Sequence, residues 1–451
     1  MCPVTQVGVA SVCPVFGGRL PVSPGHVVWC PECDWNLDPR PADRLTRWAR
    51  WRQQRSRRAV LRAHRRLLGA EDLRPTSSLR VAAVVLALLV HATTVFLVAM
   101  GVLVLFAPTW WVFRVLAAGI LIGLAWEVRP RLGSAPDAGD KHLLSRQEAP
   151  AAWTLIDRIA ATIGARPPRW LLLSPQVNAS YSRPGLGSGA VLTLGVPLWV
   201  ALSCEERLAL LGHELGHDRN GDLREGRLAW TAANTLSQWA GVLPIFDVWR
   251  TAPTLEGRAG AIRTTRFGSR LVVALVLLPL TVTIGVVGGC LRGRLSRSGQ
   301  RAEYLADDIG AQLAGTPAML SVLDVLLVAD GLVGATRGAR LAGSNPWAAA
   351  RDYRQEVAAI ELERQRRLGA RDMYRIDGSH PPTVLRLEMA RTRPPHEADL
   401  LVTDVEWQTV DAEFKAGLDR MAATRSLQGL DWSRGCPWPV DDPGQSQVTI
   451  R

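Results

Sequence analysis

The sequence predicts a mainly helical, multi-pass membrane protein that carries a small β-sheet. Val81 to Phe106 is an apolar stretch without Asp, Glu, Lys or Arg, and it is long enough to cross a bilayer. Residues 140–225 combine helical spacing with short β-type runs that proline and glycine separate. Residues 293–451 have a mostly helical pattern and read as soluble, so we expect helices around one small sheet.

Composition is consistent with this fold class. The chain has 451 residues, of which 47% are hydrophobic and 21% charged, and this length allows two or three domains. Its formal net charge of +12 favours anionic partners. The seven cysteines are an odd number and four lie within residues 1–33, which favours a reducing compartment with one N-terminal metal site. The first 25 residues lack the continuous apolar core of a signal peptide.

Residues 1–40 look like a zinc ribbon that has lost one ligand. Cys30 and Cys33 form a C-x2-C pair, whereas Cys13 is followed at the expected position by Phe16. Zinc accepts mixed sets of cysteine and histidine, so Cys2 or His26 is a candidate fourth ligand. The other interpretation is a degenerate ribbon without metal. We expect no catalytic role for a metal bound here, because four-ligand sites of this kind are closed.

A basic helix is predicted over residues 41–79, where ten arginines fall between positions 44 and 66 with Trp48 and Trp51 among them. Arginine and tryptophan in this pattern bind nucleic acid in some proteins. The run directly precedes an apolar span, where arginines set orientation and bind anionic lipid. We therefore favour a lipid bilayer with anionic headgroups over nucleic acid as its partner.

Residues 80–128 predict a transmembrane hairpin. Residues 107–109 interrupt the first apolar stretch, and a second one runs from Trp110 to Trp126 with Arg114 near its start, where the side chain can reach the interface. Basic residues on both flanks place both ends in the cytoplasm. A further membrane region is predicted over 226–292, where Leu271 to Cys290 is a clear candidate span and 226–246 is diluted by polar residues.

Residues 140–225 contain the local signals of one helix, three strands and a second helix. The run APAAWTLIDRIAATIGA has helical spacing, and RWLLLS, NASYS and GAVLTLG are the β-type runs. Ser203 and Glu206 form a candidate capping box for the second helix, and Gly221 is a candidate stop signal.

The second helix contains LLGHELGHDRNGD, residues 210–222. His213 and His217 are separated by about one helical turn, so they share a face and can bind one ion. Glu214 is rotated by roughly 100° and can reach a water at that ion, as in H-E-x-x-H metalloproteases. The alternative is a helix end with incidental histidines.

A third ligand is expected downstream, in residues 293–395. The run SGQRAEYLADDIGAQLAG places Glu303 and Asp307 four residues apart on one helix face. Glu303 can ligate zinc, while Asp307 can accept a hydrogen bond from the free ring nitrogen of a zinc-bound histidine. The alternative is a solvated acidic face.

These motifs together resemble the HtpX-like and CAAX-prenyl-protease-like membrane metallopeptidases, a gluzincin family. The resemblance covers roughly residues 145–390 and includes SHPPTVLRLE, residues 379–388. It implies a zincin-type catalytic domain with zinc on His213, His217 and Glu303. By the same resemblance Glu214 is the general base, Asp307 supports a zinc ligand, and Asn178-Ala179 begin the edge strand that aligns a protein or peptide substrate.

The same resemblance places the HPP segment beside the active site. His380 and Arg386 are therefore candidates to stabilise the oxyanion. The alternative is that HPP is a rigid turn that starts a packed helix. Residues 396–451 are interpreted as a polar C-terminal tail.

Three functions follow from these alternatives. The favoured one is a zinc metalloendopeptidase of the cell membrane, with a cytoplasmic catalytic domain that cleaves membrane or misfolded proteins. A regulatory module that binds lipid or nucleic acid, with an inactive peptidase domain, is the second. A prenyl-protein-processing enzyme is the third, and it is disfavoured by the small number of spans.

The proposed ligands constrain the membrane topology. Because His217 and Glu303 must meet on one side of the membrane, the chain between them crosses the membrane an even number of times or is re-entrant at Pro279. Two crossings would place residues 247–270 outside the cell, which their five arginines disfavour.

Overall fold

The computed structural model describes residues 12–23, 25–39, 47–70, 77–127, 129, 142–183, 189–220, 231–232, 235–236, 278–371 and 380–423. The chain divides into two compact units. The larger comprises Met1–Arg74, Ala135–Asn220 and Gly299–Arg451, and the smaller comprises Pro75–Ser134 and Gly221–Ser298.

Most of the secondary structure in the described residues is helical, as the sequence predicts. The first part of the chain forms α1 Arg47–Leu68, α2 Ser77–Val104, α3 Trp111–Glu127, β1 Leu143–Leu144, α4 Pro150–Ile163, β2 Trp170–Ser174, β3 Ala179–Ser182, β4 Val191–Gly195, α5 Val196–Ala201 and α6 Cys204–Arg219. The second part forms α7 Leu278–Ala314, α8 Thr316–Leu327, α9 Ala329–Leu341, α10 Pro346–Glu356, α11 Ala359–Arg371, α12 Thr383–Thr392 and α13 Asp404–Ala423.

In the smaller unit, α2 and α3 pack against each other as two helices of a hairpin, and a membrane crossing by both helices stays a prediction. Among the described helices, Ala87–Val104 is the one straight segment apolar and long enough to cross a bilayer, with a mean hydropathy of 2.3. Its side chains are mostly exposed, as lipid contact requires. The bent pair α8 and α9, which meet at 60°, passes the same test. Residues 271–277 and most of 226–246 lie outside the described residues, so several crossings stay a prediction.

The sheet lies in the larger unit and has the order β1-β2-β4-β3. Strands β2 and β4 are parallel, while β1 and β3 join them in antiparallel pairs. The three predicted β-type runs are β2, β3 and β4. Leu171 and Leu192 are fully buried, which places these two central strands in the core. Strand β3 lies at the edge of the sheet, where a further strand can pair with it.

Helix α6 begins with the predicted capping box. The Glu206 amide donates to the Ser203 hydroxyl, and the Ser203 amide donates to the Glu206 carboxylate at 2.7 Å. The helix ends at Arg219, and the predicted stop Gly221 lies beyond the described residues. Asp218 near this end is buried and bound by Arg166 and Arg183 at 2.7 and 3.0 Å, which fixes the helix against the preceding loop.

The segment that the sequence assigns to a C-terminal tail contains a packed helix. Helix α13 packs against α4, and its Trp407 and Phe414 are buried against Trp199 of α5. Its buried residues Trp407, Val410, Phe414 and Met421 recur at helical spacing, so the local sequence contains a signal for this helix but none for the surface on which it packs. The interpretation of 396–451 as a tail is therefore wrong for residues 404–423, and residues 424–451 lie outside the described residues.

The N-terminal segment, residues 12–39 as described, packs on α11. Trp29 and Leu37 are buried with Leu368. Arg364 donates to the carbonyl of Leu37 at 2.8 Å, and Arg367 pairs with Asp34 at 2.8 Å. The cysteine segment therefore belongs structurally to the larger unit.

Candidate metal centre

Helices α6 and α7 approach each other closely at two glycines. A Cβ on Gly310 of α7 would lie 2.7 Å from the carbonyl oxygen of Ala209, and one on Gly212 of α6 would lie 3.1 Å from the Cα of Gly310. Real Cβ atoms do not tolerate the first of these contacts. This glycine contact brings the backbones together just where α6 carries its histidines and α7 its glutamate.

Three ligand atoms meet beside the glycine contact. Donor atoms of His213, His217 and Glu303 all lie within 4.8 Å of one another. His213 Nε2 lies 3.6 Å from Glu303 Oε2, and His217 Nε2 lies 3.5 Å from Glu303 Oε1. The sequence predicted this group from two motifs that are more than 80 residues apart in the chain.

The group fits a zinc ion. Two ligand atoms bound at ~2.1 Å in tetrahedral geometry lie ~3.4 Å apart, close to the separations observed here. Glu303 is buried, and within the described part of the chain its Oε2 accepts no hydrogen bond. Two imidazoles and a carboxylate are also the ligands that zinc takes in peptidase sites with an open fourth position.

The carboxyl groups of the site differ in their preference for charge. Burial raises the pKa of Glu214, which suits a group that accepts and returns a proton. Burial also acts to raise the pKa of Glu303, but nearby His380, His217 and Arg386 hold it well below its usual value. Burial lowers the pKa of His217 to about 4, so its ring is neutral and able to ligate a metal at pH 7.

Asp307 contacts one of the two histidines, as the sequence predicted. His213 Nδ1 lies 2.9 Å from Asp307 Oδ1. Arg386, which is also buried, forms two hydrogen bonds to the same carboxylate. Its Nε donates to Oδ2 at 2.9 Å, and a terminal nitrogen donates to Oδ1 at 2.6 Å. Burial acts to raise the pKa of Asp307, but Arg386 and His213 lower it, so the carboxylate is charged.

His380 and Arg386 occupy different positions, although the sequence proposed one role for both. The His380 side chain is 39% exposed, and its Nδ1 lies 2.8 Å from Glu303 Oε1. Arg386 is buried, lines the cavity and lies 3.6 Å from Glu303 Oε2. The salt bridge between Arg386 and Asp307 was not anticipated from the sequence, because no local pattern links residues 79 positions apart.

A cavity of about 230 Å³ adjoins the ligand group. Glu214 and His213 line it together with Asn178 and Ala179, at the start of the edge strand β3, and with His380. Arg386 and the residues Pro381, Pro382 and Thr383, which belong to the segment that the resemblance placed beside the site, also line it. The remaining wall is apolar, and sequence analysis did not single out its residues: Leu198, Leu210, Met319, Val322 and Leu326. Their only sequence signal is apolar spacing on helices, which core residues share.

A second group that can hold a metal lies in the N-terminal segment. It consists of Cys13, Cys30 and Cys33, whose sulfur atoms lie within 4.8 Å of one another. His26, a candidate fourth ligand, is not part of this group, and Cys2 lies outside the described residues. These three thiols and the three ligands described above are the potential metal groups within the part of the chain that the structure describes.

The α6–α7 site defines a class of protein. An H-E-x-x-H helix supplies two imidazoles and a buried glutamate, and a second helix supplies a carboxylate on the same ion position, beside a cavity at the edge of a sheet. This constellation is that of zinc metallopeptidases.

The chain belongs to Peptidase family M48, whose family model matches residues 153–394. A Protease HtpX homolog from Pyrococcus furiosus is 25% identical over 252 residues, which cover 55% of this chain and 75% of that protein. A Protease HtpX homolog from Syntrophobacter fumaroxidans is 25% identical over 184 residues, which cover 40% of this chain and 58% of that protein. Protease HtpX from Pseudomonas putida is 33% identical over 144 residues, which cover 32% of this chain and 44% of that protein.

The chain therefore spans little more than half the length of the Syntrophobacter relative and less than half that of the Pseudomonas relative. No solved structure matches the chain.

Proposed function

We propose that the protein is a membrane-bound, zinc-dependent metalloendopeptidase. The observation that carries the proposal is the meeting of His213, His217 and Glu303 at one point, with Glu214 on the wall of the adjoining cavity. Membership of Peptidase family M48 supports it. An inactive regulatory module is disfavoured, since the complete ligand group and its buried glutamate have no use there.

Each residue of the site has a separate role in this proposal. His213, His217 and Glu303 hold the zinc ion, which when bound supplies a Lewis acid that polarises a peptide carbonyl and activates water. Glu214 accepts the proton of the attacking water and passes it to the leaving amine, and its raised pKa favours the return step. Asp307 keeps the Nδ1 proton of His213 in place, which leaves the Nε2 lone pair to hold a zinc ion.

Strand β3 positions the substrate in this proposal. An extended peptide can add to the edge of the sheet by backbone hydrogen bonds, beginning beside Asn178 and Ala179. His380 is partly exposed in the cavity and is the better placed of the two candidates to donate to the developing oxyanion. Arg386 is committed to Asp307 and acts by positioning it.

We further propose a multi-pass arrangement with the catalytic unit in the cytoplasm. The apolar helix α2 and the basic residues around it support this orientation. The basic run of 44–66 binds anionic lipid. Substrates are membrane or misfolded proteins, because the proposed site lies on a chain held at the membrane, and prenylated proteins are the alternative substrate class.

The test compares detergent-purified wild type with Glu214→Gln. Both should hold zinc in the α6–α7 site, while casein cleavage should fall by about 10²–10⁴-fold in the variant, since the general base is lost. Glu205→Gln is the matched control, because Glu205 is exposed on the same helix. Equal cleavage by wild type and Glu214→Gln, or no zinc on the three ligands, would refute the mechanism.

A further inference from the structure

The N-terminal segment contains two turns with the same backbone hydrogen bonds. In the first, the Cys13 amide donates to the Gly18 carbonyl and the Gly17 amide donates to the Cys13 carbonyl, both at 2.8 Å. In the second, the Cys30 amide donates to the Trp35 carbonyl at 3.0 Å, and the Asp34 amide donates to the Cys30 carbonyl at 2.9 Å. Cys13 and Cys30 therefore occupy equivalent positions.

The equivalence extends through each turn. A proline follows each cysteine, and the fifth position of each turn has a positive φ, 76° at Gly17 and 58° at Asp34. Asp34 adopts this left-handed conformation although it is not a glycine, so the turn shape is enforced there. By this alignment, Phe16 in the first turn stands where Cys33 stands in the second.

The three thiols are gathered as ligands of one ion would be. Cys13 Sγ lies 3.6 Å from Cys33 Sγ, and all three sulfur atoms lie within 4.8 Å of one another. The Phe16 amide donates to Cys13 Sγ at 3.3 Å, and such a bond stabilises a thiolate. The first turn thus keeps the backbone of a metal-binding turn while presenting a phenyl ring, 58% exposed, in place of the fourth sulfur.

The segment has little else to hold its turns together. Its own buried cluster consists of Cys13, Leu20 and Cys30, and its only strand pairing within the described residues is one bridge between Val12 and Arg19. Segments of this size need a disulfide, a metal or packing on a larger partner to stay folded. Packing on α11 supplies part of this stabilisation, and the clustered sulfur atoms indicate that a bound metal supplies the rest.

We propose that Cys13, Cys30 and Cys33 bind one zinc ion through three thiolates, with the fourth position, at Phe16, left to a small exchangeable ligand. Thiolates are soft donors that select zinc over magnesium or calcium. The site is separate from the proposed catalytic centre, and each can fail without the other.

The first experiment counts metals on the full-length, detergent-purified chain. Wild type should hold two zinc ions and Cys30→Ser one, while Cys290→Ser, a control outside the cluster, should hold two. Cobalt gives a second readout, because thiolate ligands produce a sulfur-to-cobalt charge-transfer band and the nitrogen and oxygen ligands of the α6–α7 site do not. The band should be present in wild type and lost in Cys30→Ser.

The second experiment adds the missing sulfur. Phe16→Cys should bind the same number of zinc ions but resist a chelator about tenfold or more better than wild type, because a fourth thiolate closes the site. Because Phe16→Cys adds a ligand and removes none, this test does not depend on a destabilised variant staying folded.

Three results would overturn the proposal. One zinc ion in both wild type and Cys30→Ser would remove the site, as would a Cys13–Cys33 disulfide found by counting thiols in the purified chain. If Cys2→Ser lost zinc as readily as Cys30→Ser, the fourth position would belong to Cys2 and would not be exchangeable.

Discussion

Replacing Asp307 by asparagine should weaken zinc binding although all three proposed ligands remain. Asp307 Oδ1 lies 2.9 Å from His213 Nδ1 and also accepts from Arg386 at 2.6 Å, while Oδ2 accepts from Arg386 at 2.9 Å. The carboxylate therefore holds the Nδ1 proton of His213 and leaves the Nε2 lone pair for the metal.

The size of the effect follows from these contacts. The asparagine side chain has one acceptor oxygen and one NH2 group. The NH2 group would therefore face a donor of Arg386 or of His213 and leave that donor without its acceptor. Losing such a partner costs about 10- to 100-fold in metal affinity, or about 1.4–2.7 kcal/mol. Arg386 would also stay buried without its closest anion, which should lower the free energy of unfolding by about 3 kcal/mol.

Competition with a chromophoric chelator measures the zinc Kd, and thermal unfolding of the zinc-loaded protein measures stability. Asp308→Asn is the matched control, since Asp308 is the next residue on α7 but pairs with Arg393 at 3.0 Å and His396 at 3.2 Å. Its zinc Kd should stay at the wild-type value. An unchanged Kd for Asp307→Asn, or equal losses in both variants, would refute the proposed role of Asp307.

Further predictions concern the elements that support the site. Gly310→Ala should cost about 1–3 kcal/mol of unfolding free energy and weaken zinc binding, because its Cβ would meet the Ala209 carbonyl at 2.7 Å. Gly334→Ala, where a Cβ meets nothing within 4 Å, is its control, and equal thermal stability of the two would contradict the close packing. Burial lowers the pKa of His64, so the folded state disfavours its protonation, and stability should fall as pH drops below ~6.5, the value in the unfolded chain. His64→Gln should reduce this fall between pH 7 and 5 in thermal melts, and an unchanged pH slope would exclude His64 as its source. Ser203→Ala should lower the free energy of unfolding by about 1 kcal/mol and Ser203→Asp by much less, as chemical denaturation would measure, since either side-chain oxygen accepts from the third amide of α6; equal losses would show that this hydrogen bond is not the source of the stability.

Local signals made part of the structure predictable. The capping box at Ser203, the strand runs and the spacing of His213 and His217 all depend on residues within one or two turns of each other. Chemistry extended this to Glu303, because a zinc site needs a third ligand and few acidic pairs share a helix face after the first motif.

The contacts that escaped prediction join residues distant in the chain. Arg386 is 79 positions from Asp307, and His64 is 240 positions from Tyr304, whose hydroxyl lies 2.8 Å from its ring. The packing of Phe414 in α13 likewise depends on a surface that only the folded unit forms. Such contacts depend on tertiary packing. Hydrophobic periodicity predicts that a segment is helical, but it does not predict which element the helix packs against.

The glycine contact between α6 and α7 has a consequence for which ion the centre accepts. Side chains can rotate to widen a site, but two backbones in contact at Gly310 and Gly212 have nothing between them to rotate. The two backbones that carry the proposed ligands are thereby held close together, where the donor atoms lie 3.5–3.6 Å apart, as zinc bonds of about 2.0–2.2 Å require. The contact therefore supports a zinc site from outside its ligand set, while the two imidazoles themselves disfavour calcium, which takes oxygen ligands.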